Sequence, residues 1–185
     1  PSWSGGDTGA IGEGLGDYWA ASYSCSTSNG PAFHPTWAFT WDGHNGFWDG
    51  RDMDQLGARY NPARSYPAHT MVDGYNGDEL WGTPIFQAFL ELVSAGVPRE
   101  EVDTLVVEAQ FGLGAGVSMR TMAQTIVQTA RELYPNGPHA GVFANKFAHH
   151  NLLDSSLYVS APQITAEPVS TPGTSNSLSW AGGSI

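Results

Sequence analysis

Between Asp78 and His150 the chain repeats one arrangement four times: apolar residues at helical spacing, bounded by residues that start or stop a helix. Leu80, Trp81, Ile85, Phe89 and Leu92 share one face of a segment running from Asp78 to Ala95, with Pro84 near its first turns and Gly96 as its stop. Pro98 opens a second segment, whose Val102, Leu105, Val106 and Ala109 lie on one side and which Gly112 and Gly114 follow. Ser118 is placed as the N-cap of a third, which carries Met122, Ile126, Ala130 and Leu133 and stops at Pro135-Asn136-Gly137. The fourth, Pro138 to His149, presents Val142, Phe143 and Phe147. Four amphipathic helices joined by short turns can bury their stripes only against one another, so the spacing predicts a mainly α fold built around a helical bundle.

The first half of the chain reads differently. A helix is expected from Ala10 to Tyr23, where Ile11, Leu15, Tyr18 and Trp19 share a face. Gly12, Gly14 and Gly16 lower its intrinsic stability and imply that another backbone packs closely there. Residues 31–77 are dense in Gly, Pro, Asp and Trp, with no sustained period beyond the alternation Trp37-Ala38-Phe39-Thr40-Trp41. They are expected to form a long ordered loop region pinned by aromatics, of the kind that builds a substrate wall or an ion site. After Leu157 come Pro162, Pro168 and Pro172 among Ser and Thr, then the strand-like Ser177-Leu178-Ser179-Trp180. The expected organisation is therefore residues 1–158 as a helical domain and residues 159–185 as a linker and first strand of a following β-sandwich, fibronectin-like in character.

Charge narrows the function. Seven Lys and Arg against 18 Asp and Glu give 7 − 18 = −11, and the basic residues are scattered along the chain. Nucleic acid and anionic membrane are thus excluded as expected partners. No window approaches the roughly 18–20 apolar residues of a membrane span. Low charge content with abundant Gly, Ser, Thr, Asn and Trp points to a secreted, extracellular protein. The single cysteine, Cys25, excludes a disulfide framework within the chain and any Cys-rich zinc site. It is read as a small buried hydrophobe, with a disulfide to a segment outside this chain as the alternative.

The richest stretch chemically is Gly9-Ala10-Ile11-Gly12-Glu13-Gly14-Leu15-Gly16-Asp17-Tyr18-Trp19-Ala20. Glu13 and Asp17 lie four residues apart, so on a helix both carboxylates project from one face, opposite much of the apolar stripe. Such a pair can bind a cation through one carboxylate while the other orients a neighbour. The run Gly-Ala-x-x-Glu-x-x-x-Asp entering a Tyr/Trp-containing helix resembles the third-ligand helix of gluzincin zinc metallopeptidases, in the fungalysin-like and thermolysin-like branches. The helix start Gly77-Asp78-Glu79-Leu80-Trp81 resembles the C-terminal helical subdomain of that family, and the resemblance spans residues 7–153. It implies that Glu13 is a zinc ligand and that Asp17 bonds to a ligand His. Two His of an HExxH helix would supply the other protein ligands, leaving a position for water. No HExxH occurs in the sequence. The expectation is a fragment of a secreted zinc endopeptidase, inactive by itself, whose partners are a peptide or protein substrate and an N-terminal part bearing the HExxH helix.

The family also carries a His that donates to the oxyanion shortly before the Gly-Glu/Asp-x-Trp helix start. His69 is the nearest candidate here, eight residues before Gly77 and farther than the family pattern, while Gly74 falls near the expected position; Tyr75 is the substitute donor. A second ion, Ca²⁺, is considered at Asp42, Asp49, Asp52 and Asp54, interleaved with Gly43, Gly46 and Gly50 but lacking EF-hand spacing. His149-His150, near the end of a helix, is read as a pair favoured by the helix dipole. Trp37, Trp41 and Trp48 are read as buried pins or as stacking surfaces for sugars. The alternative function resting on this loop is a non-catalytic extracellular module that binds carbohydrate or is stabilised by calcium.

Overall fold

A computed structural model describes residues 6–39, 50–111 and 113–154. The fold is mainly α, with five helices and two small two-stranded sheets. The elements are α1 (Thr8–Ser26), a 3₁₀ turn (Gly30–Ala32), β1 (Trp37–Ala38), β2 (Arg51–Asp52), β3 (Met71–Val72), β4 (Tyr75–Asn76), α2 (Gly77–Ser94), α3 (Arg99–Glu108), α4 (Met119–Leu133) and α5 (His139–His149). The predicted tail strand, residues 159–185, lies outside the described residues, as do Asp42, Asp49, Trp41 and Trp48. Among the described residues no helix is long and apolar enough to cross a membrane.

The helix ends follow local chemistry. Ser118 caps α4 by accepting the Thr121 amide at 3.1 Å. Asn76 caps α2 by accepting the Asp78 amide at 2.9 Å, and Asp78 and Glu79 then place carboxylates in the first turn, where the helix dipole favours them. Gly96, at φ +90°, turns the chain out of α2 in a conformation that costs a residue with a Cβ. Residues 31–77 hold two short antiparallel ladders rather than loop alone. β1 pairs with β2 in the register Trp37 to Asp52, and β3 pairs with β4 across Asp73-Gly74. Asp73 and Gly74 both have positive φ, 51° and 89°, the geometry that matches the twist of a two-residue hairpin.

α2 is the central helix, with Leu80, Trp81, Ile85, Phe86 and Leu92 essentially buried, and it packs against α1, α3 and α5. The Trp81 and Phe147 rings stack at 5.8 Å, joining α2 to α5. α1 crosses α2 at Gly14 and Gly82. A Cβ on Gly14 would lie 2.4 Å from the Asp78 carbonyl oxygen, and one on Gly82 would lie 3.0 Å from the Gly14 carbonyl oxygen. The close backbone approach expected of three glycines thus occurs at Gly14 alone, since a Cβ on Gly12 or Gly16 meets nothing within 4 Å.

The buried stripe of α1 also departs from expectation. Ala10, Ile11, Gly14, Asp17, Tyr18 and Ala21 face inward, while Trp19 is exposed and Leu15 only partly covered. Asp17 therefore lies on the buried side of α1, because a cation from β2 meets it there. Two other carboxylates tie elements together. Asp7, 2% exposed, accepts the Tyr60 hydroxyl at 2.8 Å and the amides of Tyr66 and Met119 at 2.9 Å each, linking the start of α1 to the loop and to α4. Asp103 of α3 accepts the Tyr18 hydroxyl at 2.7 Å and pairs with Arg99 at 2.8 Å.

Candidate active site

The crossing of α1 over α2 places Glu13 and Asp17 above the N-terminus of α2, and β2 delivers Arg51 between Asp17 and Asp78. Arg51 Nε lies 3.3 Å from Asp17 Oδ2, and its Nη2 lies 2.9 Å from Asp78 Oδ2. Asp17 Oδ2 is buried within ion-pair distance of that guanidinium, yet it receives no hydrogen bond among the described residues. Burial pushes the Asp17 carboxyl up to about 7; Arg51 opposes this, and Asp78, Glu13 and Glu79 add to it. Glu79, the next residue of α2, is likewise raised by burial while it accepts the Asp52 amide at 3.0 Å.

His69 completes the cluster from the loop before β3. Its backbone amide donates to the Asp78 carboxylate at 3.0 Å, at a φ of 55°. Its Nδ1 lies 2.6 Å from Arg51 Nη2 and 2.8 Å from Asp78 Oδ2. Its Nε2 lies 3.6 Å from Glu13 Oε2. An Arg nitrogen can only donate. Where Nδ1 accepts from Arg51 the ring proton lies on Nε2, facing Glu13; where Nδ1 donates to Asp78 the neutral ring presents a bare Nε2 there. Glu13 itself is half exposed, its carboxylate turned to the surface beside His69.

The structure thus brings together Glu13, Asp17 and His69. It does not bring Tyr75 to them through its hydroxyl, which donates to the Gly57 carbonyl at 3.0 Å. Of the proposed calcium ligands, Asp52 is engaged locally, Oδ1 accepting the Asp54 amide and Oδ2 the Gln55 side chain, both at 2.9 Å. Among the described residues no group of three or more His, Cys, Asp or Glu could hold a metal ion. Sequence reasoning missed Arg51 as the shared counter-ion. Its signal was a scarce basic residue in a loop rich in Asp and Gly.

An apolar groove of about 800 Å³ flanks Glu13 along the outer face of α1, lined by Leu15, Trp19, Tyr23 and Phe39, with Gly12 and Gly16 as its bare floor. Trp19 and Tyr23 are 42% and 61% exposed, an unusual investment of aromatic surface for one helix. Cys25, near the end of the same helix, is a free thiol, only partly covered rather than buried.

The His149-His150 pair needs correction. His150 is fully buried, its Nδ1 lying 2.8 Å from the Ala58 carbonyl oxygen, and burial pushes its imidazole down to about 4. It is therefore neutral near pH 7 and gains nothing from the helix dipole as a cation.

No family model, no curated protein and no solved structure matches the chain.

Proposed function

We propose that this chain is part of a zinc-dependent endopeptidase of the gluzincin type, in which Glu13 supplies one protein ligand to the metal and α1 and α2 form one wall of the peptide-binding cleft. The observation that carries the reading is the pairing of an outward Glu13 carboxylate with a buried Asp17 oxygen, one helical turn away, that receives no hydrogen bond. The donor set fits. A surface carboxylate is available to ligate, and Asp17, one helical turn on, is the carboxylate that would orient a ligand imidazole, in competition with Arg51, which lies 3.3 Å from its buried Oδ2. Zn²⁺ bound there would supply a Lewis acid and a water of lowered pKa.

The remaining ligands belong to an HExxH helix elsewhere in the parent protein, and we place that partner on the groove beside Glu13, whose exposed aromatics suit a docked helix. His69, in the tautomer whose Nδ1 accepts from Arg51 and whose Nε2 carries the proton, is the group we assign to hydrogen-bond a developing oxyanion next to Glu13. Arg51 and Asp78 hold its ring in place. The chain by itself is then inactive, and the parent is secreted.

The test begins with the coding sequence upstream of Pro1, where an HExxH motif is expected. In the intact protein, Glu13→Gln should strip most of the zinc, and Asp17→Ala should weaken retention by about 10–100-fold through lost ligand orientation. An upstream sequence without HExxH, or equal zinc content in wild type and both variants, overturns the assignment. Glycan or calcium affinity of the chain in isolation would favour a binding module instead.

A further inference from the structure

His139 opens α5 with its residue only 2% exposed, and neither ring nitrogen has a hydrogen-bond partner among the described residues. A buried imidazole left in that state is costly and calls for a physical reason. The ring is held from both sides. Tyr134 stacks on it with centroids 4.2 Å apart, and Gly137 packs so closely that a Cβ there would come within 2.6 Å of Nδ1. It borders a cavity of about 480 Å³ between the turn joining α2 to α3 and the turn joining α4 to α5. Glu101 of α3 reaches into the same cavity, its Oε2 3.4 Å from His139 Nε2 and its side chain 40% exposed.

Burial lowers the imidazole pKa, with Glu101 opposing, and so favours the neutral ring, which has a lone pair to offer. No Lys or Arg lines the cavity, so Glu101 faces the imidazole without a competing cation there. Two donors that each bind a tetrahedral metal ion at about 2.0–2.1 Å lie about 3.4 Å apart. That is the separation found between Nε2 and Oε2.

We propose that His139 Nε2 and Glu101 Oε2 form a binding site for a divalent transition-metal cation of the Zn²⁺ class, with water completing its shell through the open side of Glu101. One imidazole and one carboxylate favour such ions over Ca²⁺ and Mg²⁺, which seek oxygen alone. The site is distinct from Glu13 and does not depend on the peptidase reading.

The experiment follows the His139 imidazole proton resonances, assigned with His139→Asn, while zinc chloride is added to the chain. Saturable shifts of the His139 signals are expected in the wild type and, unchanged, in Glu13→Gln. Glu101→Gln alters a partly exposed side chain and should keep the fold by circular dichroism, while weakening zinc binding at His139 by about tenfold or more, as loss of one of two protein ligands requires. His139 resonances that stay put at millimolar zinc overturn the proposal. So do equal affinities in wild type and Glu101→Gln, or loss of the shifts in Glu13→Gln.

Discussion

Alanine placed in turn at Gly12, Gly14 and Gly16 separates helix propensity from packing within one turn and a half of α1. All three replacements relieve the backbone entropy that glycine loses in a helix, a gain of about 0.5–1 kcal/mol each. At Gly12 and Gly16 nothing opposes it, because both are exposed and an added Cβ meets no atom within 4 Å. At Gly14 the methyl would stand 2.4 Å from the Asp78 carbonyl oxygen and 3.1 Å from the Gly82 amide nitrogen, both main-chain atoms that cannot rotate away. The helices would have to part by about 1 Å to regain ordinary contact. Overpacking of this kind costs about 1–3 kcal/mol, and contacts as short as 2.4 Å to main-chain atoms put it in the upper part of that range, so the net change is a loss of up to about 2.5 kcal/mol. Urea unfolding followed through the fluorescence of buried Trp81 reads the difference, since about 1–3 kcal/mol per molar denaturant turns it into a midpoint shift of about 1 M. Midpoints should rise for Gly12→Ala and Gly16→Ala and fall for Gly14→Ala. A Gly14→Ala protein as stable as the other two would refute the close crossing, and with it the placement of Glu13 and Asp17 over Asp78.

Asp7→Ala strands the Tyr60 hydroxyl and two buried amides, and should cost about 3–5 kcal/mol by chemical denaturation; Tyr60→Phe, which removes one bond and leaves two, should cost about 1–2 kcal/mol. A loss below about 1 kcal/mol for Asp7→Ala would show that the carboxylate is not buried as described. His150 titrates near 6.5 when unfolded and near 4 when folded, so the unfolded chain binds the extra proton first and stability falls as pH drops through that window. The shift corresponds to about 3 kcal/mol, and a His150→Gln variant should lose less stability than wild type between pH 7 and pH 4. Asp17 has the opposite sign. Its carboxyl is raised from 3.8 to about 7, so stability is fully present below about 4 and is lost as pH rises from there to about 7, and Asp17→Asn should be the more stable protein at pH 8. An unchanged pH profile in Asp17→Asn would contradict that burial.

Helices were legible wherever apolar spacing and capping agreed. α4 begins where Ser118 placed it, and α2, α3 and α5 lie within about a residue of their expected bounds, because each buries a continuous stripe. α1 is longer at both ends than its periodicity suggested, and its inward face is turned. A local pattern cannot announce that Asp17 is welcome in the interior, since the cation that meets it arrives from Arg51, far along the chain. The ladders within residues 31–77 are two residues long, too short to leave a period. The β3–β4 hairpin nonetheless had a readable mark in Asp73-Gly74. Proximity of His69 to Glu13 was beyond spacing arguments. It arises from Asp78, whose carboxylate gathers the His69 amide, its ring and Arg51 at one helix end.

The three bonds gathered by Asp7 bear on how the molecule opens. They join residue 7 to residues 60, 66 and 119, so the start of α1, the loop at 60–66 and the start of α4 are held at one buried point. Local openings that elsewhere let single helices exchange their amide hydrogens with solvent are coupled here to release of a buried charge. The Tyr66 and Met119 amides should therefore exchange only when the whole body unfolds, in step with the core of α2. Removal of that one carboxylate should speed exchange at the Tyr66 and Met119 amides more than at the core of α2.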